Sequence, residues 1–268
     1  MKNLLLSLLV MFGATASVSA ADVSAYLRGA HMSASKARTA LKSAGYEVLV
    51  TYDTIKDGKT IVFTNDTLKA EAAKEKRAHA AILRLFVDDQ DKSINITNPL
   101  YFGKAFMQDD YNKEIYTKEL AKLNAAFYGL SDSKDKLDAD DISGFHFMMG
   151  MPYYEDPDEL ATGSNSELLA KLKGYKDGKS ILFELKLSDK STLIGYDLSK
   201  RTKKFIKKIG RANAAVLPYC ISIENGKATS LAPKYYLAIS YPQLTMGEFM
   251  NISTVPGAIV KDLEKPFK

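Results

Sequence analysis

The chain has 268 residues, of which 46% are hydrophobic and 26% charged, a composition typical of globular proteins and unlike that of disordered chains. The net charge of +5 is too small to indicate nucleic-acid binding, and no nucleic-acid partner is expected. A single cysteine, Cys220, excludes an internal disulfide bond, and the apolar run around it predicts a buried, inert thiol.

Residues 1–20 have the pattern of a secretory signal peptide. Lys2 supplies the positive start, residues 4–14 form an apolar run, and Val18-Ser19-Ala20 has the small residues of a cleavage site. The alternative is a membrane anchor, which needs about 20 apolar residues, whereas glycine, threonine and serine interrupt this run. We therefore expect the mature chain, which has no other segment apolar enough to span a bilayer, to reach the periplasm or be secreted.

Residues 21–109 are predicted to alternate between helices and hairpins. Apolar residues at a spacing of three or four indicate the helices, and Gly45 closes the first of them. The turn Lys56-Asp57-Gly58 indicates the first hairpin, and Pro99 ends the last strand because it cannot donate to a ladder. The predicted elements are helix 33–44, strands 46–53 and 59–64, helix 68–77, and strands 80–87 and 93–97.

Residues 142–268 are predicted to repeat this order. Asn225-Gly226, a type I′ turn signal, connects the last two strands. Residues 110–141 lie between the two parts and are predicted as a helical linker with a charged, polar end. The predicted elements of the second part are helix 166–173, strands 180–187 and 192–196, helix 199–209, and strands 215–223 and 228–231.

An internal repeat supports this division. Residues 77–83 recur as 211–217 with five of seven positions identical, and the same offset of 134 residues pairs Pro99 with Pro233. The alternative is chance similarity in a chain rich in lysine and alanine. We predict an α+β protein of two tandem two-layer α/β sandwich domains, 21–109 and 142–268, each with a mainly antiparallel sheet and helices on one face.

A short stretch of the second part resembles a known family. Residues 213–227, which contain the strand Leu217-Pro218-Tyr219 and the turn that follows it, together with Pro233, are similar to the bacterial family called domain of unknown function 302. The first part matches less well, since Arg84 stands where the second has Pro218. The resemblance implies a compact two-layer α+β domain that often self-associates, so a homodimer, or two copies paired as in one, is expected. It implies no reaction.

The sequence contains no common catalytic or nucleotide-binding motif. G-x-S-x-G, the phosphate-binding Walker loop, H-E-x-x-H and C-x-x-C are all missing. We therefore expect an exported, non-enzymatic binding or interaction protein, with a small molecule or a protein as partner and without a cofactor. An enzyme of unrecognised type is an alternative, for which Asp197 or Glu184 is available as an acid or base.

Two repeated pairs are the candidate ligand-binding residues. Arg77 and Arg211 are equivalent in the repeat, as are Tyr101 and Tyr235, so they could line equivalent clefts in which arginine clamps an anion. The structural alternative is that arginine closes the second helix and tyrosine packs behind the proline.

The segment 146–151 suggests a second alternative function, a periplasmic copper or redox accessory protein. His146, Met148 and Met151 offer the soft ligands that Cu(I) prefers. Alternation along a strand would place His146 and Met148 on one face and Met151 on the other, which weakens this interpretation. Methionines that fill a buried strand are the structural alternative.

The basic segment 200–211 is a further candidate binding surface. On a helix it presents lysines and arginines that could meet anionic lipid, a heme propionate or an acidic partner. The structural alternative is an ordinary solvated helix face.

Overall fold

Polar side chains cap the helices at positions that the sequence indicates. In the computed structural model, which describes residues 21–268, Ser33 accepts a hydrogen bond from the Lys36 backbone N–H at the start of α1 (Ala34–Ser43). Ser164 and Glu167 form a reciprocal capping box at the start of α5 (Asn165–Gly174). Local chemistry therefore determines where these helices begin. The predicted signal peptide, 1–20, lies outside the described residues.

Residues 21–141, which we call the first half, contain eight strands and four helices among the described elements. The strands are β1 (Asp22–Ser24), β2 (Tyr26–Ala30), β3 (Glu47–Ile55), β4 (Gly58–Thr64), β5 (Leu83–Asp88), β6 (Ser93–Thr97), β7 (Ser131–Asp132) and β8 (Lys136–Asp138). The helices are α1, α2 (Asp66–Ala72), α3 (Pro99–Met107) and α4 (Lys113–Ala126).

Residues 142–268, the second half, contain a further five strands and five helices. The strands are β9 (Asp158–Thr162), β10 (Ile181–Lys186), β11 (Ser191–Tyr196), β12 (Tyr219–Glu224) and β13 (Lys227–Ser230). The helices are α5, α6 (Ile206–Ile209), α7 (Pro233–Ser240), α8 (Met246–Asn251) and α9 (Val255–Glu264).

The described strands form antiparallel sheets, so the fold is α+β as predicted. The sheet of the first half has the order β3-β4-β5-β6-β2-β7, and that of the second half has the order β10-β11-β12-β13-β9. In both, the strand that precedes the first helix pairs with the last strand of the second hairpin. A separate two-stranded sheet joins β1 to β8.

Buried apolar side chains of both halves form one contiguous cluster, which runs from Ala25 to Leu263. The separate apolar centres expected for two domains are therefore merged into a shared core. No helix among residues 21–268 has the length and hydrophobicity needed to cross a bilayer.

Two predicted helices are shorter in the structure than expected. The helix predicted over 68–77 ends at Ala72, because Lys76 adopts a φ of 62° and its backbone N–H donates to Glu224 of the second half over 2.9 Å. The helix predicted over 199–209 consists of the 3-10 helix Thr202–Phe205 and the single turn α6.

The strand boundaries and the linker also differ from the prediction. Residues 78–81 and 211–216 are 3-10 helices, so the strands predicted to start at 80 and 215 start at Leu83 and Tyr219. The predicted linker 110–141 contains α4 and also β7 and β8, which pair with β2 and β1 of the first half.

Candidate functional site

The two halves contact each other reciprocally. The 3-10 helix Ala78–Ala81 of the first half packs against β11 and β12 of the second half. The 3-10 helix Arg211–Val216 of the second half packs against β5 and β6 of the first half. The two similar segments of the sequence, 77–83 and 211–217, therefore make the contact in both directions, and the space beside these helices belongs to both halves.

The predicted anion-binding arginines are paired with carboxylates of the protein. Arg77 donates to Asp110 over 3.0 Å and to Glu155 over 2.9 Å. Arg211 makes a two-pronged contact with the buried Asp88, with N···O distances of 2.7 and 3.1 Å. Both guanidinium groups thus already have internal anionic partners.

The two predicted tyrosines lie in the interior. The Tyr101 hydroxyl donates to the Ile239 carbonyl over 2.8 Å, and the Tyr235 hydroxyl donates to the Ala105 carbonyl over 3.3 Å. Each bond crosses from one half to the other. All four predicted residues have partners inside the protein, and a role for them in lining equivalent ligand-binding clefts stays a prediction.

A cleft of about 420 Å³ opens between the halves, within the size range of small-molecule sites. We call it the interface cleft. Its walls come from the chain before and within the first 3-10 helix, from residues 154–159, and from β12, β13 and their turn. The lining residues are Glu75, Lys76, Ala78, His79, Tyr154, Glu155, Pro157, Glu159, Ser222, Glu224, Asn225, Lys227, Thr229 and Leu231.

His79 is one of the polar residues that line this cleft. Burial, and then the nearby charge of Arg84, lower the pKa of His79 to about 3, so its imidazole is neutral at pH 7. The ring meets Phe106 edge to face, with centroids 6.4 Å apart. Among residues 21–268, no hydrogen-bond partner occupies its nitrogens. A neutral imidazole offers one donor and one acceptor to a ligand.

Arg84 lies behind His79 and is only 5% exposed. It donates to the Pro218 carbonyl over 3.1 Å and to Cys220 Sγ over 3.4 Å, and it lies over the Tyr236 ring at 5.9 Å. Within the described part of the chain it has no carboxylate partner, and its Nε makes no hydrogen bond. This positive charge adds to the effect of burial, the larger cause, in keeping the His79 imidazole neutral.

Cys220 is buried, as its apolar neighbourhood predicts, and burial raises the pKa of its thiol. A void of about 10 Å³, the space of roughly one water molecule, lies between Arg84, Cys220 and His79. His79 and Leu231 border both this void and the interface cleft. The inner polar groups are therefore separated from the cleft by these two side chains.

The cleft is acidic. Four of its lining residues are glutamates and two are lysines. Glu159 is paired with Lys227 over 2.7 Å, and Glu155 with Arg77 over 2.9 Å. Among residues 21–268, Glu224 accepts only from a backbone N–H and Glu75 has no cationic partner. An acidic cleft with a neutral imidazole suits a ligand that brings hydrogen-bond donors or positive charge.

Residues 146–151 form a loop, and the alternation expected of a strand does not apply to them. His146 Nε2 lies 3.4 Å from the Tyr153 hydroxyl. Met148 is 41% exposed and Met149 94% exposed, so these methionines do not fill a core. Among residues 21–268, no group of three or more histidine, cysteine, aspartate or glutamate side chains could hold a metal ion.

The loop contacts helix α8, which carries two further exposed methionines. Phe147 stacks on Phe249 of α8 with ring centroids 4.6 Å apart, and α8 exposes Met246 and Met250 one turn apart. The sequence gives no sign of this proximity, because about a hundred residues separate the two segments.

Sequence reasoning also missed His79 and Arg84. One signal was available, since His79 aligns with Asn213 within the repeated stretch and Arg84 with Pro218. At these two positions the two similar stretches differ, and the first half carries a histidine and an arginine there. Nothing in the sequence shows that both face the second half.

The chain was compared with protein-family models, with curated proteins and with solved structures. None of these comparisons finds a match.

Proposed function

We propose that the protein is an exported, non-enzymatic binding protein that holds a small molecule in the interface cleft. The observation that carries this proposal is the neutral, unpartnered imidazole of His79 in the wall of a 420 Å³ cleft to which both halves contribute. The ligand is a molecule with hydrogen-bond donors or positive charge that complements the cleft glutamates.

We further propose that the halves are tandem copies of one α+β domain of the type that the family domain of unknown function 302 represents. The shared strand order and the positions of Arg77 and Arg211 at the starts of equivalent 3-10 helices support it. The crossed hydrogen bonds of Tyr101 and Tyr235 also support it, because reciprocal contacts are typical of a two-fold dimer.

Native mass spectrometry of the protein as purified from the host that produces it tests the cleft. The wild type should carry a non-covalent adduct of small-molecule mass. Thr229→Trp, which places an indole into the cleft from β13, should lose it. Thr39→Trp, an exposed change on α1, is the matched control and should retain it.

Two outcomes contradict the proposal. An adduct retained in Thr229→Trp places the ligand elsewhere, and a wild type without any adduct removes the support for a bound small molecule. Turnover of the adduct by the purified protein would instead favour the enzyme alternative.

A copper accessory protein is the second candidate function, and the exposed methionines around the Phe147–Phe249 contact favour it. Cu(I) titration against a chelator should show binding by the wild type that His146→Ala and Met148→Ala each weaken. His31→Ala is the control, because His31 is hydrogen-bonded to Asp89 over 2.8 Å. Equal affinities in all four proteins exclude this function.

Export rests on residues 1–20. Cell fractionation should find the protein in the periplasm or the medium, with residues 1–20 removed. An unprocessed chain in the cytoplasm contradicts this proposal.

A further inference from the structure

Residues 199–211 carry a positive charge that the sequence leaves unneutralised. The segment has seven lysines and arginines, and no aspartate or glutamate occurs from 198 to 223. The corresponding segment of the first half, 66–77, interleaves Asp66, Glu71 and Glu75 with its cations. Like charges three or four positions apart destabilise a helix, and this segment forms only one α-helical turn beside a 3-10 helix.

Apolar anchors and a few polar contacts hold the segment in place. Phe205 and Ile206 are buried. Lys203 pairs with Asp197 over 2.7 Å, and Lys208 donates to the Asn251 carbonyl over 2.7 Å. Arg211 is paired with the buried Asp88, and the remaining cations of the segment have no carboxylate partner among residues 21–268.

Two grooves flank the segment. The first, of about 540 Å³, separates it from the β3–β4 hairpin, and we call it the hairpin groove. The second, of about 610 Å³, separates it from α9, and we call it the helix groove. Lys204 lines both grooves, so they adjoin at this residue.

Both grooves are strongly basic. Six cationic side chains and two carboxylates, Asp53 and Asp57, line the hairpin groove. Five cationic side chains and one carboxylate, Asp262, line the helix groove. Asp53 is paired with Lys59, and Asp262 with Lys265 over 2.6 Å, so little negative charge is left for the other cations.

Several of these cations are free. Within residues 21–268 they are exposed and have no carboxylate partner: Lys56, Lys200, Arg201, Lys204, Lys207 and Lys261. Five of the six are lysines, which bind phosphate as compact point charges, whereas paired recognition of carboxylates favours arginine. The concave shape favours a ligand that enters the grooves.

We propose that the two grooves together bind a multiply charged, phosphate-bearing anion that passes over Lys204. Such a ligand neutralises charges whose mutual repulsion the protein otherwise bears. This site is separate from the interface cleft, which has the opposite charge.

Tripolyphosphate binding to the full chain, measured by calorimetry at low and high salt, tests the proposal. The triple variant Lys200→Gln, Lys204→Gln, Lys207→Gln should bind roughly tenfold to a hundredfold more weakly, since each exposed cation near a phosphate contributes a factor of about two to five. Raising the salt should weaken wild-type binding. All three positions are exposed, so the variant should keep the wild-type circular dichroism and melting temperature.

The control is Lys36→Gln, Lys42→Gln, Lys113→Gln, which changes the net charge equally at exposed positions outside the grooves. It should bind as the wild type does. The proposal is overturned if both triple variants lose the same affinity for tripolyphosphate, or if the wild type does not bind it. Polyglutamate that binds as tightly as tripolyphosphate overturns the assignment to phosphate and indicates an acidic protein partner.

A second arm identifies the source of the phosphate. Vesicles of phosphatidylglycerol that sediment the wild type, but not the groove variant, and that tripolyphosphate displaces indicate a lipid headgroup. Tripolyphosphate binding without vesicle binding indicates a soluble phosphate ester. Either result supports the site.

Discussion

Two ionisable side chains, His79 and Asp88, lie near the contact between the halves, and in both the folded state favours the deprotonated form. His79 is kept neutral by burial and by the charge of Arg84. Burial alone would raise the pKa of Asp88, but hydrogen bonds from Arg211 and from the backbone of Asp91 and Gln90 outweigh it and hold this pKa below its ordinary value. Both residues therefore make the stability of the fold depend on pH.

His79→Asn should make stability less dependent on pH between 7 and 5. The folded pKa of about 3 lies below the unfolded value of about 6.5, so wild-type stability falls by up to about 1.4 kcal/mol per pH unit as the pH drops below 6.5. Asn213 occupies the equivalent position and indicates that asparagine fits. Urea unfolding at pH 7 and pH 5 measures how far the stability of each protein falls. If the wild type and His79→Asn lose the same stability between the two pH values, the prediction is wrong.

Asp88→Asn should destabilise the protein at pH 7 by roughly 2–4 kcal/mol, because it removes the anionic partner of the partly buried Arg211. Since the folded pKa of Asp88 is depressed, its contribution is complete above the unfolded value of about 3.9 and is lost as the pH falls below it. The variant should therefore lose less stability than the wild type on acidification below pH 4.

Urea unfolding at pH 7 and in acid measures both effects. Asp189→Asn, which breaks the exposed pair with Lys186, is the control and should leave stability unchanged. If Asp189→Asn lowered the stability as much as Asp88→Asn does, the burial of Asp88 would have no special effect.

Among the secondary-structure elements, those with local signals agree with the sequence best. The helix predicted over 33–44 is α1, and the strand predicted over 93–97 is β6. The sequence did not indicate β9 or the early end of the helix predicted over 68–77. Both depend on partners far away in the chain, namely β13 for β9 and Glu224 for the backbone of Lys76.

The packing of α3 on α4 predicts a position-specific response to an added methyl group. A Cβ atom at Gly103 would lie 2.3 Å from the buried Tyr116 ring, so Gly103→Ala should destabilise the protein by about 1–3 kcal/mol. At Gly257 of α9 nothing lies within 4 Å, so Gly257→Ala should be neutral or stabilise by up to about 1 kcal/mol through helix propensity. Denaturant midpoints compare the two variants, and equal shifts would argue against close packing of α3 on α4.

At the scale of the whole molecule, the halves share one apolar core and are tied by the crossed hydrogen bonds of Tyr101 and Tyr235. Neither half can expose its side of this core without losing the contacts of the other. The two halves should therefore behave as one cooperative unit.

Equilibrium unfolding in urea should accordingly show one transition, with the same midpoint by far-UV circular dichroism and by tyrosine fluorescence. Tyr101→Phe and Tyr235→Phe should each lower the stability of the whole protein by about 1 kcal/mol, the net value of one hydrogen bond, without splitting the transition. Two separate transitions would show that the halves fold independently.

The sequence by itself determined the α+β class, most of the hairpins and capped helices and the burial of Cys220, because these follow from spacing, turn chemistry and composition over short distances. Only the tertiary structure decided the shared core, the internal partners of Arg77 and Arg211, and the interface cleft. Its walls come from segments up to 156 residues apart, from Glu75 to Leu231. Side-chain periodicity reveals which face of an element is buried, but not which distant element covers it.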